Sequence, residues 1–306
     1  MKPSVSSESE LDHAKLRALV LALAINAAFA AAEATVGFAS RSLALVSDAA
    51  HNTSDVIALG IALLAVKFSA KPPTRKLTYG FQRTEVLGAQ VNSLLLVGAA
   101  ALIGAEAIRR LFEPPPVPGL VVAVTAAIGV VVNASSAVVV VSGRRTDLNM
   151  KAAALNLLAD VAFSTVTVIS GVAISLWRIY RLDAALALLI ALVMCLAAGR
   201  ILWEVTHVLL EGAPRHIDVT EVEDFIRSQP AVTSVHHVHI WNLSSDNPAL
   251  SGHVVLSGDV SLHEAQNERN RLSSLLAERF GIRHSTLEVE CHPCEEQPSP
   301  ASKAAE

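Results

Sequence analysis

Three ionisable residues, Asp48, His51 and Asp55, stand inside a stretch that is otherwise largely apolar. His51 and Asp55 are four positions apart, so a helix carries them on one face, about one turn from each other. Asn156 and Asp160 repeat the same spacing in a second apolar stretch. One imidazole nitrogen with carboxylate and amide oxygens, two ligands from each of two helices, can close a tetrahedral site for Zn²⁺ or a neighbouring divalent cation. The set holds no cysteine, so a bound ion leaves more readily than it would from thiolates, as a carrier requires. Asp48 lies three residues before His51, where it can act as a ligand itself or orient the imidazole. The competing reading is that these groups bond only to one another and lock their helices together. A carboxylate at the centre of a bilayer costs about 2.5–3.5 kcal/mol on insertion scales. Two matched pairs at that cost weigh toward a ligand set.

A second concentration of metal-binding side chains lies near the C-terminus. His236, His237, His239, His253, His263, His284 and His292 occur there with Glu288, Glu290, Cys291 and Cys294. Strand alternation would put His237 and His239 on one face and His236 on the other. The single C-x-x-C, Cys291 to Cys294, is a weak zinc signal without further partners.

The elements that carry these residues follow from composition. The chain has 306 residues, 52% hydrophobic and 17% charged, where soluble domains are nearer a quarter charged. This argues for a membrane protein, and against a disordered chain, a fibrous repeat or a basic nucleic-acid binder. A membrane-crossing helix needs about 20 mostly apolar residues. Six segments qualify: 18–39, 43–66, 86–108, 120–142, 152–177 and 184–206. The first two are joined so tightly that they form an antiparallel hairpin, and Pro114, Pro115, Pro116 and Pro118 break the chain between the third and fourth. The remaining polar residues within the spans, Asn26, Glu33, Gln90, Asn92, Glu106 and Asn133, read as helix–helix hydrogen bonds. Asp183 and Glu204 fall at span ends, where charge is cheap.

Orientation follows from basic residues in short loops. With the N-terminus in the cytoplasm, the inner segments carry Lys2, Lys15, Arg17, Lys67, Lys71, Arg75, Lys76, Arg83, Arg144, Arg145 and Lys151. The outer loops carry only Arg41, Arg109, Arg110, Arg178 and Arg181. Both termini are therefore expected in the cytoplasm, and the polar first twelve residues do not read as a signal peptide.

From His207 onward the chain holds 15 Asp and Glu, 7 Lys and Arg, and 9 of the 11 histidines. Its patterning predicts a helix over 218–228, strands over 233–243 and 249–256, a helix over 262–280 and a strand over 286–290. That αββαβ order implies a small ferredoxin-like α+β layer, a sheet with two helices on one face. The expected organisation is a polar tail at 1–14, a six-helix transmembrane domain at 15–206, a cytoplasmic metal-binding domain at 207–294, which the family resemblance described next also makes the dimerisation domain, and a disordered end at 295–306.

Six segments together resemble the cation diffusion facilitator family: SLALVSDAAHNTSD at 42–55, YGFQRTEVLGA at 79–89, DLNMKAAALNLLAD at 147–160, LLEGAPRHID at 209–218, VHHVHIWNL at 235–243 and the ending HSTLEVECHPC at 284–294. The resemblance covers about residues 13–294. It implies a homodimeric exporter that exchanges cytoplasmic Zn²⁺, or a related cation, for protons. It also implies a transport site at His51, Asp55, Asn156 and Asp160, and a cytoplasmic-domain metal set of His236, His253, His284 and Glu290. The family's usual histidine in the second pair is Asn156 here. That leaves one nitrogen and three oxygens and opens the site to Co²⁺, Cd²⁺, Mn²⁺ or Ni²⁺ beside the favoured Zn²⁺. Gln82 stands where relatives often carry histidine, and the loop from Gly143 to Lys151 has no histidine, as expected of a bacterial, inner-membrane protein. No resident cofactor is expected beyond the transported cation. Two other readings explain less. A membrane-anchored metal sensor without flux leaves the paired ligands of the spans without a role. An intramembrane metalloenzyme lacks both an H-E-x-x-H motif and a general base beside an open metal position.

Overall fold

The computed structural model describes residues 24–69, 71–143, 148–244 and 247–292. The expectations for the N-terminal tail at 1–14, for Cys294 and for the end at 295–306 lie outside the described residues. Contacts divide the chain into two units, Met1–Leu64 with Gly88–Leu202, and Ala65–Leu87 with Trp203–Glu306.

Among the described residues of the first 209 positions there are six helices: α1 (24–40), α2 (Leu43–Ser69), α3 (Thr84–Phe112), α4 (Gly119–Gly143), α5 (Leu148–Trp177) and α6 (Arg181–Leu209). The last five extend up to four residues beyond the apolar segments at either end, because polar flanks continue the helix into the loops. Among the described residues, four are long and apolar enough to cross a membrane: Thr84–Phe112, Gly119–Val138, Leu158–Trp177 and Arg181–Leu209. The surface is inverted relative to a soluble bundle. Leu102, Val131, Leu176 and Leu196 face outward, while Ser47, Asp48, Asn133, Asp160 and Ser164 are buried. In water such an apolar exterior would be a liability, whereas lipid accepts it and leaves the polar groups to bond inside.

Close helix approach rests on small side chains. Ala44, Ala107, Ala126 and Ala187 are at most 1% exposed. At the α4–α5 crossing, a Cβ added at Gly171 would come within 2.6 Å of the Ala123 backbone nitrogen. The α1–α2 corner is tied down by a residue expected to be a cheap terminal charge. Asp183, in the first turn of α6, is only 2% exposed. It accepts hydrogen bonds from Ser42 Oγ at 2.5 Å, Leu43 N at 2.7 Å and Ala44 N at 3.4 Å. It thus caps α2 from another helix, satisfying N–H groups that the α2 start leaves open. Glu106 also departs from the expectation of a helix–helix bond, since it pairs with Arg109 and Arg110 of its own helix.

The second unit builds the expected αββαβ order: α7 (Val219–Arg227), β1 (Val232–Asn242), β2 (Pro248–Leu256), α8 (Leu262–Phe280) and β3 (His284–Glu290). β2 is central, antiparallel to β1 and parallel to β3. Val222 and Ile226 of α7 and Leu272 and Leu276 of α8 share one core with Ile240, Leu250, Val254 and Leu287 of the strands. Both helices are well delimited. The Asp218 side chain caps α7, and a Ser261–Glu264 capping box opens α8, which ends at Gly281 with φ 71°. The bonds from Ser261 N–H and its hydroxyl hold the Glu264 carboxyl below the usual carboxylate range.

The α4–α5 crossing is the tightest constraint on the first unit. Gly171→Val is expected to lose about 1–3 kcal/mol through overpacking, read as a lowered thermal midpoint of the detergent-solubilised protein. A variant that melts with the parent would show that the helices can part there at no cost.

Candidate metal sites

α2 and α5 bring three of the predicted transport-site residues together. His51 Nε2 shares a 3.1 Å hydrogen bond with Asp160 Oδ1, and one ligand atom each from His51, Asp55 and Asp160 lie within 4.8 Å of one another. Asp160 is buried and the other two are partly buried. Zn²⁺ bonds of 2.0–2.2 Å imply ligand atoms about 3.4 Å apart in a tetrahedron. The cluster therefore needs only a small contraction to coordinate an ion. Asn156 lies on α5 one turn before Asp160, and its side chain lies outside the described residues. The atoms that bond in this cluster are those that would bind metal, so proton and cation compete for the same lone pairs.

Asp48 does not orient the imidazole through a direct bond. Its Oδ2 accepts from Ser164 Oγ at 3.3 Å, and His51 Nδ1 is buried without a hydrogen-bond partner among the described residues. A small cavity of about 50 Å³ is lined by Asp48 and His51 together with Leu96, Phe163, Ile190 and Met194. Around it, three polar residues do form the expected bonds between helices. Asn26 donates to Ser136 Oγ (3.1 Å), Asn92 to Ser54 Oγ (3.1 Å), and Asn52 to Glu33 Oε2 (3.0 Å). Asn52 and Ser164 were not identifiable from sequence. Each is an ordinary helix residue until its distant partner is known.

The sheet gathers the second cluster by a device that alternation misses. His236 pairs with His253 and His239 pairs with Ser251, so two β1 residues stand opposite Gly252 alone. This is a β-bulge, with His237 at φ 52°. It corrects the expectation that His236 and His237 face opposite ways. The rings of His236, His237 and His253 lie 5.1–5.2 Å apart, centroid to centroid, and their nitrogens form a three-ligand group. The signal was present in the sequence. Val235 and Ile240 are both core residues, and an odd separation of five cannot put both inward on a regular strand.

β3 supplies the acids. Its parallel register sets Glu288 beside His253. Glu290 Oε1 lies 2.7 Å from His253 Nδ1 and Glu290 Oε2 lies 3.4 Å from His236 Nε2, while Glu288 Oε2 lies 3.6 Å from His253 Nε2. His284 is not brought to this cluster within the chain. It pairs with Ala249 at the head of β3, and its ring meets Tyr79 edge-on, with Tyr79 Oη 3.4 Å from His284 Nε2. Cys291 is exposed just past β3.

Comparison with known proteins covers both units. Residues 19–210 match the family model described as the cation efflux transmembrane domain, and residues 214–292 match that of the cation efflux protein cytoplasmic domain. The metal cation efflux system protein CzcD of Cupriavidus metallidurans is 37% identical over 280 residues, 92% of this chain and 88% of the relative. The zinc transporter ZitB of Escherichia coli is 36% identical over 281 residues, 91% of this chain and 88% of the relative. A cadmium, cobalt and zinc/H(+)-K(+) antiporter of Bacillus subtilis is 32% identical over 260 residues, 84% of this chain and 83% of the relative.

The bulge geometry separates the tail histidines by role. His253→Ala, at the centre of the cluster, is expected to lower the Zn²⁺ held per chain by one in equilibrium dialysis. His284→Ala, against Tyr79, is expected to leave that number unchanged. The reverse pattern would move the site to the head of β3.

Proposed function

The chain belongs to the cation efflux family, and from that membership we propose that it exports Zn²⁺ from the cytoplasm in exchange for protons, with His51, Asp55, Asn156 and Asp160 as the transport site. At the coarser level it is a multi-pass membrane protein of divalent metal efflux and not an enzyme. One observation carries the finer reading. The ligand atoms of His51, Asp55 and Asp160 converge within 4.8 Å inside helices whose exterior is apolar. Intramembrane carboxylates so costly to insert are usually functional, and this group has the composition of a divalent-cation site.

Proton exchange follows from the donor chemistry. A neutral imidazole binds metal and a protonated one does not, and an ordinary histidine titrates near cytoplasmic pH. Asn156 cannot titrate, so His51 is the principal exchanging imidazole, with the two carboxylates contributing. Metal affinity therefore rises with pH and levels off once His51 is neutral. The amide in place of a second imidazole makes the site harder, which admits Co²⁺, Cd²⁺, Mn²⁺ or Ni²⁺ beside Zn²⁺.

The working protein is a homodimer with six spans in a bacterial inner membrane and both termini in the cytoplasm. The match to the family's cytoplasmic domain supports the dimer, and the excess of basic residues in the assigned inner loops supports the orientation. The tail, through His236, His237, His253 and Glu290, binds cytoplasmic metal and biases the transport domain as a sensor.

The test is uptake of Zn²⁺, Co²⁺, Cd²⁺, Mn²⁺ and Ni²⁺ into proteoliposomes under an imposed pH gradient, with Asn156→His and His51→Ala alongside. Gradient-driven Zn²⁺ uptake is expected in the parent and not in His51→Ala. Asn156→His is expected to favour Zn²⁺ further over Mn²⁺. No flux of any cation in the parent would overturn the transport reading, and flux indifferent to the pH gradient would overturn proton exchange.

A further inference from the structure

A cavity of about 860 Å³ lies within the second unit and shares no residue with either metal cluster. It is lined by the α2–α3 loop, from Lys76 to Arg83, and by β1, with His239, Trp241 and Glu211 among its walls. Small-molecule sites run to about 300–1,000 Å³, so the space is ample for a ligand. Three contacts hold the loop against the rest of the unit. Tyr79 Oη lies 3.4 Å from His284 Nε2, Asn247 Nδ2 donates to Gln82 Oε1 at 2.8 Å, and Arg83 Nη2 donates to Glu211 Oε1 at 3.3 Å. The walls are therefore fixed on both sides.

The loop is cationic by sequence. No acidic residue stands between Asp55 and Glu85, while Lys67, Lys71, Arg75, Lys76 and Arg83 are basic. Lys71 Nζ lies over the Phe68 ring, 4.5 Å from its centroid, and Arg83 meets Glu211. Arg75 and Lys76 occupy the tip of a turn that Thr74 and Leu77 close twice. Thr74 N donates to Leu77 O and Leu77 N to Thr74 Oγ1, each at 3.0 Å. Arg75 and Lys76 are exposed, without an ion-pair partner among the described residues. Apart from His239, Lys76 and Arg83 against Glu211 leave the cavity one net positive charge. The Arg83–Glu211 pair is at the surface, where such pairs are weak, and a guanidinium has donors to spare for a phosphate.

Position selects the anion. Arg83 immediately precedes α3 and Glu211 closely follows α6, and both helices are long and apolar enough to cross a membrane. The cavity is thus lined by residues that adjoin the ends of two spans, the level at which phospholipid headgroups lie. Leu77 and Tyr79, exposed beside the basic turn, add the amphipathic character of a membrane-interface segment. We propose that this cavity binds the phosphate headgroup of an anionic phospholipid of the cytoplasmic leaflet, with Lys76 and Arg83 as its cationic partners. Lys and Arg clustered next to a span are the usual means of holding such lipids, and one net positive charge matches one phosphodiester. A headgroup seated there bridges the α2–α3 loop and β1. Only the choice of leaflet rests on the orientation proposed above; the site itself is separate from metal export.

The experiment titrates the full-length protein in detergent with phosphatidylglycerol or zwitterionic phosphatidylcholine and counts bound lipid by native mass spectrometry. Lys76→Gln and Lys76→Arg are compared with the parent, and Arg269→Gln on α8 removes an equal charge away from the cavity. The parent is expected to keep phosphatidylglycerol under conditions that strip phosphatidylcholine. Lys76→Gln should bind phosphatidylglycerol about fivefold more weakly, the effect of one basic residue near an anionic surface. Lys76→Arg and Arg269→Gln should match the parent. Lys76 is exposed at a turn, so its loss leaves the fold intact, and rescue by arginine confirms that charge is what counts. Equal binding of the two lipids, or equal weakening by Lys76→Gln and Arg269→Gln, would overturn the site. Displacement of the lipid by an equal concentration of water-soluble glycerol 3-phosphate would overturn the lipid assignment in favour of a soluble phosphate compound. The readout is binding without flux, so a parent that moves no metal would overturn the export reading and leave this site standing.

Discussion

The constraint on which the first unit depends is charge neutrality in an interior without water. Glu33, Asp48 and Asp160 are buried in the helix bundle, Asp55 is partly buried, and His51 is bonded to Asp160 among them. In the proposed transporter their charge is balanced by protons or by the transported cation, because the atoms of the 3.1 Å His51–Asp160 bond are also candidate ligand atoms. A divalent ion offers two positive charges to the same atoms. On that proposal, metal and protons are alternative solutions to one electrostatic problem, and the site couples their movements without a separate mechanism.

Such a site works only if α2 and α5 are held in register, and the packing serves that end. Asp183 fixes the start of α2 by accepting three hydrogen bonds there, five residues before Asp48. Ser164, one turn beyond Asp160 on α5, reaches Asp48 across the interface. Asn52, one turn after Asp48, ties α2 to α1 through Glu33. Each bond leaves a buried partner unsatisfied if one member is removed, which penalises sliding of the helices past each other.

Much of this was legible in the sequence, for a definite reason. His51 with Asp55 and Asn156 with Asp160 are local spacings, and a helix converts a spacing of four into a shared face with no help from tertiary structure. The αββαβ order was legible for the same reason, since each element announces itself through its own periodicity and turn residues. What escaped were contacts set by distant partners. Asp183 reads as a terminal charge until Ser42, Leu43 and Ala44 are found against it. Glu33 reads as one polar residue until Asn52 is found against it. The β1 bulge lies between these cases. The odd separation of Val235 and Ile240 encodes it locally, yet it appears only when one asks which residues the core requires instead of counting alternate positions.

That bulge also explains why the two clusters suit different tasks. In the sheet, three imidazoles and a carboxylate meet at a partly exposed face, where water and solution ions share the work of balancing charge. Three nitrogens favour Zn²⁺ over harder ions. In the helix bundle a single imidazole is joined by carboxylate oxygens in a more buried setting, where the proposed exchange is of one positive occupant, proton or metal, for another. A site whose occupancy follows the surrounding concentration fits the proposed sensor, while a site that must exchange one positive occupant for another fits the proposed carrier. The division of labour follows from dielectric environment and donor count, two properties that the fold sets independently in its two units.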